Sequence, residues 1–353
     1  MTQRRIILTG DILRPHPDDP QRSESARRIC WFEDLLSLPL TLATGLPVSR
    51  LAAEGPTDVP VLYADAGLSP STDAWASLFA GELPVLLQER ILTACHDAIV
   101  ISVELPPSVA ELLRRHDVPV IDCVVDPLRF LTDIPLSWRA SHDGVRAALE
   151  PFRLAAVEVQ RRAAQVRAKT RWLNPVRVPD GATLLLDQTP HDAAMIDPVR
   201  KRRVSLADYE EEVAALRAEG SLVWRPHPHN ADAPVARELL GGVPQVTSNF
   251  YRLVASDQVR RVMAISSGGV VEARAFGKEG RHLLDRSAGI AFPGWATPVP
   301  VVGHWLSPHF WSAVLAPLVP TSPDVPVWPP EKDFVRRSIN CDWGFGDMDR
   351  VVL

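Results

Sequence analysis

Cysteine is scarce in this chain, and its four copies, Cys30, Cys95, Cys123 and Cys341, lie far apart. No two of them form the close CxxC pair that zinc sites use, and their spacing does not suggest a disulfide framework. We therefore expect no structural metal and a reducing, cytoplasmic setting.

Long apolar runs are also missing. The N-terminus leads from two arginines into the apolar run 6–8, which is too short and wrongly flanked for a signal peptide. No stretch approaches the ~18 uninterrupted apolar residues of a membrane span. The formal net charge of −5, without a block of like charges, gives no general attraction to a phosphate backbone. Neither a transmembrane segment nor a nucleic-acid partner is expected.

Several signatures of catalysis are absent. There is no GxGxxG after a strand, no GxxxxGK[ST], no HExxH and no GxSxG, which disfavours dehydrogenases, P-loop proteins, zinc proteases and α/β-hydrolases. An Asp-x-Asp sequence occurs only in the terminal tail, at Asp347–Asp349. A metal ion held by paired aspartates at a strand end is therefore not predicted.

What is present is an α/β pattern on a chain long enough for two domains. Its 353 residues, 46% hydrophobic and 23% charged, exceed the ~250 to 300 at which one core stops growing. Short apolar runs alternate with amphipathic stretches, as in parallel sheets covered by helices. The predicted strands are 5–9, 97–103, 119–124, 183–186, 221–224 and 261–265, and the predicted helices are 109–116, 145–169, 205–219 and 331–340. The predicted domains are 1–175 and 176–330, followed by a crossover helix and tail at 331–353.

Polar side chains end the predicted strands of the first domain. In open parallel sheets, ligands bind beyond the carboxyl ends of the strands. The first strand leads to Asp11 and the strand through Val103 leads to Glu104, so both carboxylates are expected at the cleft. Because strands disfavour Glu, we favour a functional Glu104 over a solvated or helix-capping one.

The second domain offers two such strand exits. Asp187 and Asp192 lie in the polar stretch after strand 183–186, although capping and local backbone bonds are the simpler explanation for either residue. Arg225 and His227 are separated by Pro226, and a second proline follows. The prolines fix the direction of the exit, which suits a site for an anion such as phosphate. The alternative is a structural His-Pro loop.

A third exit runs through Ser266-Ser267-Gly268-Gly269 into a predicted helix that carries Glu272. Small residues at a helix start expose backbone N–H groups, where the helix dipole favours an anion. The hydroxyls add donors, and Glu272 is placed to accept hydrogen bonds from ribose. An ordinary helix cap is the alternative. With Arg225 and His227, this turn predicts a pocket for a nucleotide phosphate.

The motifs together resemble a known family, the bacterial retaining β-Kdo transferases of capsule and lipopolysaccharide assembly. The similar segments are Thr9–Asp11, Glu104–Pro107, Asp126–Phe130, Asp187–Asp192, Arg225–Pro228, and Ser266-Ser267 with Glu272. The His-Pro and Ser-Ser pair is also similar to bacterial sialyltransferases, which likewise use CMP-activated ulosonic acids. The resemblance therefore supports the class of donor more firmly than the particular sugar.

The resemblance implies a GT-B fold, with two Rossmann-like domains around a cleft, and CMP-Kdo as the donor substrate, without a metal or further cofactor. The implied reaction is a double displacement with retention, which transfers Kdo to a hydroxyl of a glycan or glycolipid acceptor. It also allows peripheral contact with the inner membrane or a polysaccharide assembly complex. The second glycine of the Ser-Ser-Gly-Gly turn departs from the family pattern and puts the ribose contact of Glu272 in doubt.

The same resemblance implies the site residues. Asp192 is expected as the nucleophile, with Asp187 as the competing choice. Glu104 would act on the acceptor hydroxyl or stabilise the intermediate, and His227 would assist the leaving phosphate. The expected substrate-binding residues are Asp11, Gln188, Arg225, Ser266, Ser267, Gly268 and Glu272.

Three alternatives remain open. A UDP-sugar epimerase also has this fold and a Ser-Gly-Gly turn followed by Glu, but it needs no acceptor. A transferase that uses CDP-glycerol has a comparable His-Pro and Ser-Ser arrangement, but usually a basic membrane-binding surface. The third alternative is a non-catalytic domain that only binds a nucleotide.

Overall fold

The structure, a computed structural model, describes residues 4–230, 232–284, 295 and 297–339. The strands are β1 Arg5–Gly10, β2 Val48–Arg50, β3 Ala98–Val103, β4 Val120–Val125, β5 Leu136–Ala140, β6 Ala182–Leu186, β7 Ile196–Asp197, β8 Arg202–Arg203, β9 Leu222–Arg225, β10 Val259–Ala264, β11 Glu279–His282 and β12 Val299–Val301. The tail with Asp347–Asp349 and Cys341 lies outside the described residues.

The helices alternate with the strands through both halves of the chain. They are α1 Ala26–Thr44, α2 Val59–Asp65, α3 Thr72–Ala80, α4 Val85–Ala94, α5 Pro107–Arg115, α6 Asp143–Leu149, α7 Ala156–Thr170, α8 Glu210–Ala218, α9 Pro234–Leu239, α10 Phe250–Ala255, α11 Gly269–Ala275, α12 Pro308–Leu315 and α13 Phe334–Ser338.

Two large sheets organise the described residues, beside the small antiparallel pair β7-β8. The first lobe contains a six-stranded sheet in the order β12-β5-β4-β3-β1-β2, in which the pairs among β1 to β4 are parallel and β5 runs antiparallel to both of its neighbours, β4 and β12. The second lobe contains a fully parallel sheet in the order β11-β10-β6-β9. Each parallel series joined through helices is a Rossmann-like unit.

Both sheets are covered on two faces. In β3, Ile99 and Ile101 belong to one apolar cluster, while Val100 between them belongs to the cluster on the opposite face. In β6, Leu184 and Leu185 likewise belong to two different apolar clusters, one on each face of the sheet. Successive side chains of a strand point to opposite faces, so this alternation places each sheet between two apolar layers.

The end of the chain returns to the first lobe. Strand β12 pairs with Leu136–Trp138 of β5, and α12 packs against α1. The carboxylate of Asp133 accepts hydrogen bonds from the backbone N–H groups of Val335 (2.9 Å) and Arg336 (3.0 Å), so it caps α13 from the first lobe. The predicted GT-B class, with two Rossmann-like units and a terminal helix that crosses back, is confirmed.

Two details differ from the sequence interpretation. The stretch 145–169 is two helices and not one, because Pro151 lacks a backbone N–H group and its ring obstructs a continuing helix; a short 3-10 turn, Glu150–Phe152, separates them. The segments Val299–Val301 and Pro308–Leu315 lie in the first lobe, although the sequence interpretation gave them to the second domain. The predicted domain limits, 1–175, 176–330 and 331–353, stay a prediction.

Candidate active site

The parallel strands deliver polar side chains at their carboxyl ends. Strand β1 leads to Asp11, and Gly10 before it is required by the packing: a Cβ atom at Gly10 would lie 2.8 Å from the carbonyl oxygen of Val103. This close approach brings the end of β1 beside the end of β3. Asp11 itself is only 4% exposed, and its oxygens accept hydrogen bonds from Leu13 N (3.1 Å) and Trp75 Nε1 (2.9 Å). Asp11 therefore lies buried at the carboxyl end of β1.

Burial dominates the ionisation of Asp11 and raises its pKa to about 7, although Arg14 and the two hydrogen bonds act in the opposite direction. An aspartate inside a protein is destabilised as an anion unless its partners compensate for lost hydration. Asp11 thus serves to hold Trp75 and the backbone after β1, and its predicted contact with substrate stays a prediction.

Glu104 occupies a strained position at the end of β3. Its backbone has φ of +57°, in the left-handed region that a residue with a side chain seldom adopts. The buried Asp122 fixes this conformation, because its carboxylate accepts a hydrogen bond from Leu105 N (3.0 Å). The side chain of Glu104 is 30% exposed and forms an ion pair with Arg28. Glu104 is thus a partnered, accessible carboxylate and not the helix cap considered as an alternative, and its functional role stays a prediction.

The loop that carries Asp192 belongs to the second lobe but docks on the first. Arg14 donates to the carbonyl oxygen of His191 (2.6 Å), and Arg203 pairs with Asp73 of α3 (3.1 Å). Ile196 is buried in an apolar cluster of the first lobe. Polar contacts and apolar packing together fix the loop against the first lobe, on the side where β1 and β3 end.

Asp192 lies exposed on this loop. One carboxylate oxygen accepts a hydrogen bond from Ala194 N (2.9 Å), so Asp192 is the N-cap of the 3-10 turn Ala193–Met195. Capping was the simpler explanation considered from the sequence, and it is present. The charge of Asp192 also acts on Arg28 and on His227, raising the pKa of Arg28 and opposing the decrease at His227. The charge of Asp192 is therefore felt by one group of each lobe.

Asp187 has a different environment. Its carboxylate accepts a hydrogen bond from Asn230 Nδ2 (2.9 Å), and burial raises its pKa. Asn230 also donates to the carbonyl oxygen of Gln188 (3.3 Å). These contacts connect the loop after β6 to the His-Pro loop after β9, which gives Asp187 a structural use.

Arg225 and His227 follow β9 and lie half-buried. Arg225 Nε donates to the carbonyl oxygen of Ser248 (3.1 Å), and desolvation lowers the pKa of Arg225. Within the described part of the chain, no carboxylate forms an ion pair with Arg225. A cation that has lost water without gaining a counter-ion is suited to receive an anionic ligand.

His227 is uncharged at neutral pH. Burial, with smaller effects from His229, Arg129 and Arg225 and an opposing one from Asp192, lowers its pKa to about 4. The Nδ1 atom accepts a hydrogen bond from His229 N (3.1 Å). In the neutral ring the hydrogen then resides on Nε2, so His227 presents an N–H donor.

The Ser-Ser-Gly-Gly turn is largely occupied with internal hydrogen bonds. Gln188 joins β6 to β10, since its Nε2 donates to Ser266 Oγ (2.9 Å) and its Oε1 accepts from Ser266 N (2.6 Å). Ser267 Oγ accepts from Gly269 N (3.2 Å). The helix that follows has seven residues, so its dipole is small. The expected binding of phosphate by Ser266 and Ser267, and of substrate by Gln188, stays a prediction.

Gly268 is a point of contact between the lobes. A Cβ atom at Gly268 would lie 2.8 Å from Pro127 Cβ of the first lobe and 3.9 Å from an Nη atom of Arg129. The Arg129 guanidinium therefore lies beside the turn, and its charge also acts on His227. Glycine is needed here for close approach, and the approach brings a first-lobe arginine to the second-lobe site.

Glu272, in α11 of the second lobe, also contacts the first-lobe segment that carries Arg129. It is 3% exposed, and its Oε1 accepts hydrogen bonds from Arg129 N (3.0 Å) and Tyr251 Oη (2.8 Å). Burial raises its pKa to about 7. Both contacts are within the protein, so the structure gives Glu272 a role between the lobes, and its expected contact with ribose stays a prediction.

Sequence interpretation gave no role to three arginines of this site, Arg14, Arg28 and Arg129, although Arg129 belongs to the segment Asp126–Phe130 that resembles the family. Arginine makes up nearly all of the chain's basic residues, so residue type alone gives no signal. Arg28 follows another arginine at the start of α1, a helix that was not predicted. Only their contacts distinguish these arginines from their neighbours: Arg14 contacts the docked loop, Arg28 contacts Glu104, and Arg129 lies beside the Ser-Ser-Gly-Gly turn.

Other features of the described residues bear on function. No group of three His, Cys, Asp or Glu side chains in these ranges converges as metal ligands would. No helix among the described residues is long and apolar enough to cross a membrane. A cytoplasmic location and peripheral contact with a membrane stay predictions.

Comparison with known proteins gives similarity in structure alone. No family model matches the chain, and no curated protein matches it. A solved structure described as Thermosulfurimonas dismutans KpsC, β-Kdo 2,7 transferase, is 14% identical with a TM-score of 0.39, over 88% of this chain and 90% of that one. A second, described as the β-Kdo 2,4 transferase of the same KpsC, is 14% identical with a TM-score of 0.35, over 87% and 89%. With TM-scores below 0.5, neither similarity assigns a function.

Proposed function

We propose that the protein is a glycosyltransferase that moves Kdo from CMP-Kdo to a hydroxyl of a glycan acceptor, with retention, in the synthesis of a bacterial surface polysaccharide. The observation that carries the proposal is the docking of the loop with Asp192 on the first lobe, on the side where β1 ends and where Glu104 forms its ion pair with Arg28. Asp192 of the second lobe and Glu104 of the first both act on Arg28, and Asp192 also acts on His227.

Asp192 is the better of the two candidate nucleophiles. Its side chain is exposed and uses one oxygen in a cap, whereas Asp187 is more deeply buried and holds Asn230. In the proposed first step, a carboxylate oxygen of Asp192 forms a bond to the anomeric carbon. The bond from that carbon to the phosphate oxygen breaks, and its electron pair leaves with CMP.

His227 and Arg225 suit the departing phosphate. The neutral ring of His227 offers Nε2–H as a hydrogen-bond donor, and such a donor contributes more as charge accumulates on the leaving oxygen. Arg225 supplies positive charge that no protein carboxylate among the described residues pairs with. His227 therefore stabilises the charge that develops on the leaving phosphate. Arg225 binds the phosphate both before and after the bond breaks.

Glu104 suits the second step. There the acceptor hydroxyl attacks the same carbon, the bond to Asp192 breaks, and the hydroxyl proton passes to Glu104 as general base. The left-handed backbone of Glu104 is consistent with this role, since strained backbone conformations cluster at active sites. Two displacements in sequence leave the anomeric configuration unchanged.

A nucleotide screen tests the proposal. Purified protein is measured by thermal shift and calorimetry against CMP, UDP, CDP and GDP, each with and without EDTA. Stabilisation selective for CMP and unaffected by EDTA is expected, since bound ligand stabilises the folded state by mass action. Selectivity for UDP would instead favour an epimerase or a UDP-sugar transferase, and selectivity for CDP would favour transfer of glycerol phosphate.

A further inference from the structure

Arg28 lies in the first turn of α1, and its guanidinium pairs with Glu104. The Arg28 side chain is 37% exposed, so a ligand has access to it. Neither the resemblance nor any predicted motif gave this residue a use. Its position joins the start of α1 to the end of β3, beside the docked loop that carries Asp192.

Negative charge surrounds this one guanidinium. The carboxylates of Glu104, Asp192, Glu24 and Asp11 all act to raise the pKa of Arg28, with Glu104 contributing most. Three of these four are expected site residues. Arg28 is therefore the cation on which the candidate nucleophile and the candidate base both act.

The donor class brings one more carboxylate into this region. In an ulosonic acid, a carboxylate is bonded directly to the anomeric carbon that reacts. When a carboxylate nucleophile approaches that carbon, two negative groups come within a few ångströms of each other, which costs energy at low effective dielectric. A site for this reaction needs a cation beside the reacting carbon in addition to those that bind phosphate.

The cations divide between the two tasks by position. Two of them, Arg225 and Arg129, lie with the neutral His227 near the strand ends of the second lobe, where the phosphate is expected. Arg28 lies instead by Glu104 and Asp192. A planar guanidinium binds carboxylate through two parallel hydrogen bonds, which fixes orientation as well as position.

We propose that Arg28 binds the carboxylate of the donor sugar, exchanging its ion pair with Glu104 for one with the substrate. This inference rests on the proposed function and identifies the part of the donor that the site selects. The exchange also frees the Glu104 carboxylate once the donor is bound, so the base becomes available only when a donor occupies the site.

The test measures the dissociation constants of CMP and CMP-Kdo by calorimetry for wild type, Arg28→Met and Arg28→Lys. We expect Arg28→Met to bind CMP as wild type does and CMP-Kdo about ten- to a hundredfold more weakly, the range for a lost charge-assisted hydrogen bond. Arg28→Lys, which keeps the charge without the fork, should lie between. Arg27→Met is the matched control, since Arg27 is the exposed neighbour in the same turn.

Glu104→Gln supplies a result that a merely structural role of Arg28 would not produce. Removing the competing carboxylate should leave CMP affinity unchanged and tighten CMP-Kdo binding severalfold, although transfer is lost. If Arg28→Met weakens the binding of CMP and of CMP-Kdo by the same factor, or changes the binding of neither, the assignment of Arg28 is overturned while the proposed function stands. If wild type binds CMP-Kdo no better than UDP-sugars, the proposed function fails first and this inference fails with it.

Discussion

At the scale of single residues, the assignment of the nucleophile is the sharpest claim. Asp192→Asn removes the charge but little volume, and its side-chain oxygen still accepts the hydrogen bond from Ala194 N. We expect CMP affinity close to wild type and transfer reduced by at least about a thousandfold, because the interaction lost is one made only during the reaction. Single-turnover assays with CMP-Kdo and acceptor measure this directly.

Asp187→Asn is the matched comparison for that variant. It keeps an oxygen for the bond with Asn230, so a modest loss of stability with largely retained transfer is expected. If Asp187→Asn abolished transfer while Asp192→Asn did not, the two roles would have to be exchanged.

His227 gives a second prediction at this scale, on pH. With a pKa of about 4, the ring is neutral throughout pH 6 to 8, so CMP affinity should show no titration from His227 in that range. His227→Ala should weaken CMP binding and reduce turnover about a hundredfold, since one donor serves both the bound phosphate and its departure. His229→Ala, which keeps the backbone N–H that His227 Nδ1 accepts, is the control. An acidic limb near pH 6.5 that disappears in His227→Ala would contradict the buried, neutral ring.

Glu272 predicts the effect of pH on stability. Burial raises its pKa from 4.5 to about 7 in the folded protein, so the folded state holds the proton more tightly than the unfolded state does. Its contribution is complete below pH 4.5 and is lost as pH rises through 7, on the order of 3 kcal/mol in all. Glu272→Gln mimics the protonated form and keeps an acceptor for Arg129 N and Tyr251 Oη. The melting temperature of this variant relative to wild type should therefore rise between pH 5 and 8.5. A difference that is constant with pH would mean that Glu272 stays ionised.

At the scale of elements, sequence patterns predicted the strands better than the helices. Residues 5–9, 97–103 and 183–186 are apolar runs buried on both faces of a sheet, and such runs identify themselves without knowledge of their neighbours. Helix α1 was not predicted; it contains Pro39 and an apolar stripe whose burial depends on contact with α12. The stretch 145–169 has the composition of one helix, and only the effect of Pro151 divides it.

The end of β1 carries a prediction at this scale. Gly10→Ala would place a methyl group 2.8 Å from the carbonyl oxygen of Val103, a backbone atom that moves only if β1 and β3 separate. We expect a loss of about 1 to 3 kcal/mol of stability, together with reduced transfer because Asp11 and Glu104 follow these two strands. Chemical denaturation measures the loss of stability. Gly241→Ala is the control, since the nearest atom to its Cβ is 3.6 Å away; equal losses in the two variants would contradict the packing argument.

At the scale of the whole molecule, the lobes meet through contacts that join distant parts of the chain. The strand-end residues of the site were predicted because each follows an apolar run, so local sequence is enough to find them. The partners were not predictable in the same way. Arg28 and Glu104 lie 76 residues apart, and Arg129 reaches Glu272 across 143. Pairing over such distances is decided by the packing of both lobes, about which the local pattern says nothing.

The returning helix provides the last prediction. Asp133, 1% exposed in the first lobe, accepts hydrogen bonds from the N–H groups of Val335 and Arg336, and Arg336 in turn donates to the carbonyl oxygen of Arg129 (2.7 Å). Asp133→Ala leaves those two buried N–H groups without their acceptor, at a cost of about 0.5 to 2 kcal/mol for a lost cap. Hydrogen exchange at the amides of Val335 and Arg336 should accelerate about three- to thirtyfold.

The control for this variant is Asp324→Ala, at an exposed position between the last two helices. It should leave exchange at Val335 and Arg336 unchanged. Because Arg336 holds the segment whose Arg129 side chain reaches the Ser-Ser-Gly-Gly turn, Asp133→Ala should also weaken CMP binding, although Asp133 lies outside the site. Unaltered exchange would show that α13 is held by its apolar contacts alone. Accelerated exchange with unaltered CMP affinity would show that the helix closes the fold without positioning the site.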